Sequence, residues 1–421
     1  MKKHLRKRID DGHQVFLDEL KPTKAQREHG LELHADSFVA DAQGGVPVST
    51  PVGLAADHLQ ADINRLRKTL EADGLDATEV SRRLDAEWKR RKTFESAFDP
   101  AWQKLVVELY REAGVDIGCE DVAHPGENSF DDALRHVARN NFIYDCTDGV
   151  VRIGHAGDID LALETGWPAV VQHMAGVGAF AEADDPLARI DLFYTLGVRM
   201  MQLTYIQQNK LCCSWMQDDD QGLTDLGHKA VARMNELGIM VDIAHCGDRS
   251  SIEIIEASAE PVLLSHTACR AVYDDATNPF YVNAVMKQDY ARGVPHPKKT
   301  GSRNASDDIL RALAKRGGVA AIYSIDYVIG PRETSNNFAA FVRHIEHAVG
   351  VMGIDHVTIG SDRTHFQGWR PSSLDWTNWP YWTVGLVCRG FSDSDIRKLI
   401  GGNYLRYAQR VLNKRPWGPL M

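Results

Sequence analysis

Polar residues with chemical capability recur at one kind of place in this chain, directly after a short apolar run. His34 and Asp36 follow Leu-Glu-Leu, Gln172 and His173 follow Ala-Val-Val, and Tyr205 follows Met-Met-Gln-Leu-Thr. His245 follows Met-Val-Asp-Ile-Ala, His266 follows Val-Leu-Leu-Ser, and Asp362 follows Val-Thr-Ile-Gly-Ser. Imidazole and carboxylate groups together suit Zn²⁺ or a similar first-row ion, held at about 2.0–2.2 Å. One or two ions could be bound this way, and the His-x-Asp spacing of His34 and Asp36 points both side chains to one face of an extended segment. Such an ion brings the pKa of its bound water to about 7 and polarises a carbonyl, while a neighbouring Asp takes the water's proton. A single histidine is more often a hydrogen-bonded core residue than a ligand, but several at the same relative position reverse that expectation.

Residues more than 300 positions apart meet only if the fold gathers the ends of their apolar runs. The strings GVVRIGHAG, PAVVQHMAG, RMMQLTY, GIMVDIAHCG, PVLLSHTA, GGVAAIYSID and DHVTIGSD alternate with helical periodicity in DLGHKAVARMNELG, SSIEIIEASAE, DILRALAKRG and AAFVRHIEHAVGVMG. Apolar strands buried on both faces and separated by helices make a parallel sheet. With HADSFV counted as the first, there are about eight strands, which fits an α/β fold of the (β/α)₈ TIM-barrel type with its active face at the strand C-termini. A doubly wound open sheet is the alternative, but no Gly-rich dinucleotide fingerprint or Walker loop is present. The organisation expected is a polar arm over 1–30, a barrel over 31–412 with a helical insertion over 51–130, and a tail over 413–421.

Forty-eight Lys plus Arg against 58 Asp plus Glu leave a net charge of -10 on 421 residues, which argues against a nucleic-acid partner. The basic start MKKHLRKR is followed by no apolar run of signal-peptide length, and no stretch approaches the ~20 apolar residues of a membrane span, so a cytoplasmic protein without membrane association is expected. Seven cysteines, only Cys212 and Cys213 adjacent, suggest reduced thiols rather than a disulfide framework. The charged helices of 51–102 could cover a neighbour's barrel mouth in a homodimer.

HADSF resembles the His-x-Asp of the membrane (renal) dipeptidase family of zinc metallopeptidases, a branch of the amidohydrolase-type barrels. The block GLTDLGHKAVARMNELGIMVDIAHCGDRSSIEIIEASAEPVLLSHTACRAV is similar to the family's central segment, and GIDHVTIGSD with GFSDSDIRKLIGGNYLRYAQRV to its closing ones. The resemblance implies that His34 and Asp36 bind one metal, that His245 and His266 bind a second, and that Asp362 ligates the first and acts as general base.

Three positions depart from the family pattern. Gln172 stands where a Glu bridges the two metals, which implies at most one tightly held ion with a weaker second. Tyr205 replaces a His that steadies the tetrahedral intermediate, and a phenol can still donate to an oxyanion. The Arg that holds a dipeptide's carboxylate aligns with Thr277, with Arg270 upstream as a substitute. Outside the pattern, His173 could replace a missing ligand and His365 could donate a proton. His155 with Asp158 reads as a helix cap, and His344 with His347 as part of the outer helical ring. Trp369, Trp376, Trp379 and Trp382 could line a pocket or pack a loop. The expected function is metal-dependent hydrolysis of an amide or related C–N bond of a small molecule. The alternatives are a lyase or decarboxylase on the same barrel, or a non-catalytic ligand-binding relative.

Overall fold

Seven apolar strings of the sequence form seven strands of one parallel sheet, and an eighth strand, Ile117–Asp121, lies within the segment 51–130 expected to be wholly helical. The computed structural model describes residues 3–44, 57–122, 130–175, 181, 183–217, 219–277, 301–325, 328–331, 337–362 and 376–413. The strands are β1 (Ile117–Asp121), β2 (Val151–Arg152), β3 (Ala169–Met174), β4 (Val198–Gln202), β5 (Met240–Asp242), β6 (Leu263–Thr267), β7 (Val319–Ile322) and β8 (Val357–Ile359). Their order is β1-β3-β4-β5-β6-β7-β8, with the two-residue β2 paired to β3. The gap between β8 and β1 is filled by residues 39–44. Ala40 bridges Ile117, the Asp41 N–H donates to the Ile117 carbonyl, and the Ala42 N–H donates to the Ile359 carbonyl. This segment closes the barrel.

Period-two alternation sorts each strand into an inner and an outer face. Ala40, Ala42, Ile117, Cys119, Ala169, Val171, Met200, Met240, Leu263, Val319 and Ala321 fill the inside, where Tyr404, Tyr407, Ala408 and Val411 of the C-terminal helix Asn403–Leu412 join them. Asn403 donates to the carbonyls of Ile354 and Val357, which fixes that helix at the N-terminal end of β8 and plugs the barrel from below. Val170, Met174, Met201, Val241, Leu264, Ala320 and Ile359 face the surrounding helices. Those helices begin at Asp185, Thr224, Ser306 and Asn337, each of which accepts a first-turn N–H.

The first strand, residues 39–44, begins three residues beyond the His-x-Asp that the sequence suggested. Leu31 to Ala35 end a helix, Lys24–Ala35, started by a capping box between Thr23 and Gln26. His34 is buried in it, with Nδ1 2.9 Å from Thr383 Oγ1 and Nε2 2.9 Å from the Ala113 carbonyl. Ala113 precedes β1, so His34 sits at the N-terminal edge of the barrel, opposite the strand ends that build a site. Asp36 is exposed, and its carbonyl accepts from Arg397. His34 and Asp36 therefore lie away from the strand C-termini that form the barrel mouth. The expected arm is also packed: residues Lys3–Leu20 are helical and bury Ile9 and Phe16. Three more helices, Asp57–Ala72, Ala77–Phe98 and Pro100–Ala113, precede β1, and the first two share a small core of Ile63, Leu70, Val80 and Leu84. Among the described residues no helix is long and apolar enough to cross a membrane.

Burial lowers His34 and His344 to about 4, outweighing the backbone carbonyl that each faces. Unfolded histidine titrates near 6.5, so between about 6.5 and 4 the unfolded chain binds protons that the folded chain does not, and stability falls as pH drops. Asp41 and Asp116, raised by burial to about 6, act in the opposite direction below that value. Substituting one histidine isolates its share. Unfolding free energies of His34→Gln from urea titrations, measured between pH 7 and pH 5, should fall less steeply than those of the parent, by up to about 1.4 kcal/mol per pH unit. An unchanged slope would exclude a neutral buried His34.

Candidate active site

The inner faces of the strands turn polar at their C-terminal ends. Gln43 of the closing segment, Cys119 and Asp121 of β1, His173 of β3 and Asp242 of β5 follow the apolar inner residues upward in register. Gln172 points the other way, between Val170 and Met174 on the outer face, and its Nε2 donates to Asn141 Oδ1 at 2.6 Å. The position expected to replace a bridging carboxylate thus faces a helix, and His173 is the residue that β3 sends into the mouth. A register shift against β4 falls between the two.

Asp242 organises this end of the barrel. Its Oδ1 accepts the N–H groups of Ala244 and Ser265 at 3.0 Å each, and its Oδ2 accepts the Ser265 hydroxyl at 2.6 Å. Because Ser265 Oγ spends its proton on Asp242, it accepts from His266 Nδ1, 2.8 Å away. His266 is then the Nδ1–H tautomer and turns a bare Nε2 toward His245 Nε2 at 3.0 Å. His245 is presented by a tight turn after β5, with φ of 65°, and its Nδ1 is buried without a hydrogen bond among the described residues. Burial and the nearby Arg303 cation lower both rings, His266 to about 3, so both are neutral.

His173, fully buried, lies with Nδ1 2.8 Å from Asp121 Oδ1 and Nε2 3.3 Å from Asp242 Oδ2. The Nε2 contact is an ion pair poorly aligned for a hydrogen bond. Burial opposes a charged ring, but Asp121, Asp242 and Cys119 outweigh it and hold His173 well above its ordinary value. Asp242 stays below the usual carboxylate range despite complete burial, because His173, His266 and Ser265 favour its anion. Gln43 Nε2 donates to both oxygens of Asp121, at 3.0 and 3.1 Å.

A second clamp repeats the first across the barrel. Asp41 accepts the Ser361 N–H at 2.8 Å and the Ser361 hydroxyl at 2.6 Å, and the next residue is Asp362. The Asp362 N–H donates to the Gln43 carbonyl at 2.5 Å, and with a φ of 52° its backbone is left-handed just past the end of β8. Gly360 is required there, since an added Cβ would lie 2.0 Å from the Ser265 carbonyl oxygen. Tyr205, half-buried after β4, stacks on His245 with ring centroids 4.1 Å apart. His365 and Trp369 lie outside the described residues.

The cation facing the histidine pair is Arg303, 5% exposed, whose guanidinium donates to the His266 carbonyl at 3.0 Å and lies 5.5 Å from the Tyr323 ring centroid. Buried Asp275 fixes its loop by accepting from Ser302 Oγ and from the N–H groups of Arg303 and Asn304. Arg270, the expected substitute, is instead paired with both oxygens of Asp248, on the wall of a 370 Å³ cavity that includes Trp215 and Asp220. Thr277 ends a short 3₁₀ turn. Asp158 caps the helix behind His155 through the N–H groups of Gly154 and His155. His344 is buried between the Cys269 N–H and the Ile329 carbonyl, His347 pairs with Asp307, and Trp379 and Trp382 are buried in the core.

A family profile for membrane dipeptidases, peptidase family M19, matches residues 112–279 and 295–415, well over half of the chain. The chain belongs to the membrane dipeptidase family. The match starts after His34 and Asp36 and breaks over 280–294, ahead of Arg303. Among curated relatives, human Dipeptidase 3 is 27% identical over 56% of this chain and 44% of its own length. Dipeptidase tcpJ of Claviceps purpurea is 24% identical over 68% of this chain and 63% of its own. The chain thus spans about half to two thirds of the length of these relatives. The fold is shared with the probable dipeptidase PvdM from Pseudomonas aeruginosa, with a TM-score of 0.66, 19% identity, and coverage of 93% of this chain and 100% of that one. An amidohydrolase from the same organism gives a TM-score of 0.64 at 22% identity, covering 91% and 99%.

The outward aim of Gln172 reverses what a carboxylate there would do. Gln172→Glu should leave metal content unchanged and lower stability by about 1–3 kcal/mol, because a buried donor to Asn141 is replaced by an acceptor. Elemental analysis and denaturant titration check both halves.

Proposed function

We propose that this member of the membrane dipeptidase family is a metal-dependent hydrolase that cleaves an amide or related C–N bond in a small substrate bearing a carboxylate. The observation that carries this reading is the pair His245 and His266, neutral, buried, and with Nε2 atoms 3.0 Å apart. Two nitrogens on one tetrahedral ion at about 2.0–2.1 Å would stand about 3.3 Å apart, so the pair fits the bite of zinc or a similar divalent ion. When bound, that ion would polarise the scissile carbonyl and acidify water.

The chain's own residues supply the remaining tasks. Arg303 is a buried guanidinium beside the histidines, and among the described residues no carboxylate pairs with it. A substrate carboxylate would neutralise it in bidentate fashion and set the scissile bond over the strand ends. Asp362 accepts the proton of the attacking water and returns it to the leaving amine. Tyr205, stacked on His245, offers a hydroxyl to the developing oxyanion. Asp242, acting through Ser265, holds His266 in the tautomer that keeps Nε2 free of a proton.

Asn tolerates the left-handed backbone that Asp362 adopts, so Asp362→Asn should fold normally. Its turnover of a hydrolysable substrate should drop by about 10²–10⁴-fold, with amine and acid, not CO₂, as the parent's products. Parental turnover in that variant would sink the mechanism. For Arg303→Lys, KM for a carboxylate-bearing substrate should rise about tenfold or more, while an amidated analogue is handled as by the parent.

A further inference from the structure

Beside the histidine pair the barrel carries a second set of ligand groups that the family resemblance does not imply. A sulfur of Cys119, a carboxylate oxygen of Asp121 and a ring nitrogen of His173 all lie within 4.8 Å of one another. Cys119 and Asp121 alternate on the inner face of β1, and Asp121 and His173 are register partners across the β1–β3 pairing. A fourth donor is at hand, since Gln43 Oε1 is 3.5 Å from Cys119 Sγ.

The groups behind this set are those a metal-bound imidazole requires. A ligating histidine gives its second ring N–H to a carboxylate, which fixes the ring's orientation. If His173 coordinates through Nδ1, its Nε2 faces Asp242 Oδ2 at 3.3 Å, and among the described residues that nitrogen makes no aligned hydrogen bond. Asp242 is itself held by Ser265 and Ala244, so the support is rigid. One thiolate, one carboxylate, one neutral imidazole and one amide oxygen balance a divalent charge. The sulfur favours zinc and its softer neighbours over Mg²⁺ or Ca²⁺.

We propose that Cys119, Asp121 and His173, completed by the amide oxygen of Gln43, form a second cation site that takes a zinc-like first-row divalent ion next to the His245–His266 pair. The site does not depend on the hydrolytic reading. Binding displaces the thiol proton of Cys119 and any proton on His173 to solvent, and the Gln43 amide turns so that its oxygen replaces its nitrogen toward Asp121.

Cobalt(II) is the probe, because a thiolate ligand gives it a near-ultraviolet charge-transfer absorption that nitrogen and oxygen ligands do not. The full-length chain, stripped by a chelator and titrated with Co²⁺, should develop that absorption as one equivalent binds. Cys119→Ser should lose the absorption and that equivalent. His266→Ala should keep both, even though it loses any ion held by the histidine pair. No thiolate absorption in the folded parent at saturating Co²⁺, or its persistence in Cys119→Ser, would overturn the site. Should Cys119→Ser not fold, His173→Gln takes its place. That variant should bind the thiolate-linked Co²⁺ at least tenfold more weakly, and unchanged affinity would equally overturn the proposal. Loss of activity in His266→Ala with the absorption intact separates failure at the histidine pair from failure here.

Discussion

The barrel mouth depends on a buried carboxylate. Asp242 has no solvent contact, so its charge is tolerable only because three donors and the edge of His173 surround it. Stripping a buried anion of its partners costs several kcal/mol, so those partners are held as firmly as the anion needs them. The consequence spreads outward along the chain. Ala244 tethers the turn that presents His245, Ser265 sets the protonation of His266, and His173 is drawn from the other side. One charge thereby orients side chains from three strands.

Asp41 does the same for the opposite wall, with Ser361 in the place of Ser265 and Asp362 in the place of His266. In both clamps an aspartate on one strand takes the N–H and the hydroxyl of a serine at the end of its neighbour, and the residue after that serine belongs to the site. The clamp across β5 and β6 holds a base that stays neutral, and the clamp across the closing segment and β8 holds a carboxylate. A neutral imidazole and a carboxylate thus rest on one repeated backbone device.

Much of this was legible in the residues. The strands carrying His173, Tyr205, His245, His266 and Asp362 are runs of Val, Ile, Met and Ala long enough to stand out between helical periods, and they lie where the runs are. The first strand was not legible, because Val39-Ala40-Asp41-Ala42-Gln43 has a single large apolar residue, whereas Leu31-Glu32-Leu33, which alternates like a strand, belongs to a helix that buries Gly30, Leu33 and His34. The Thr23–Gln26 capping box was the signal for the helix. Gln172 and His173 were interchangeable on paper, since adjacent strand residues face opposite ways and apolar runs buried on both faces do not say which is which. Arg303 stands just ahead of the helix Asp307–Lys315, but a segment that breaks the family match hid its register. Asp242 read as one polar interruption in an apolar strand, and its partners come from loops and strands remote in sequence.

Among the described residues, three non-glycine positions have positive φ, and two of them are His245 and Asp362. Each conformation costs about 1 kcal/mol that a glycine would recover. Directed evolution of this chain for heat tolerance alone would therefore be rewarded first at these two positions, and the hardier descendants would lose the very side chains on which the proposed hydrolysis rests. A screen that counterselects for catalysis at every round would have to find its gains elsewhere, in the helical hairpin before β1 or the outer ring.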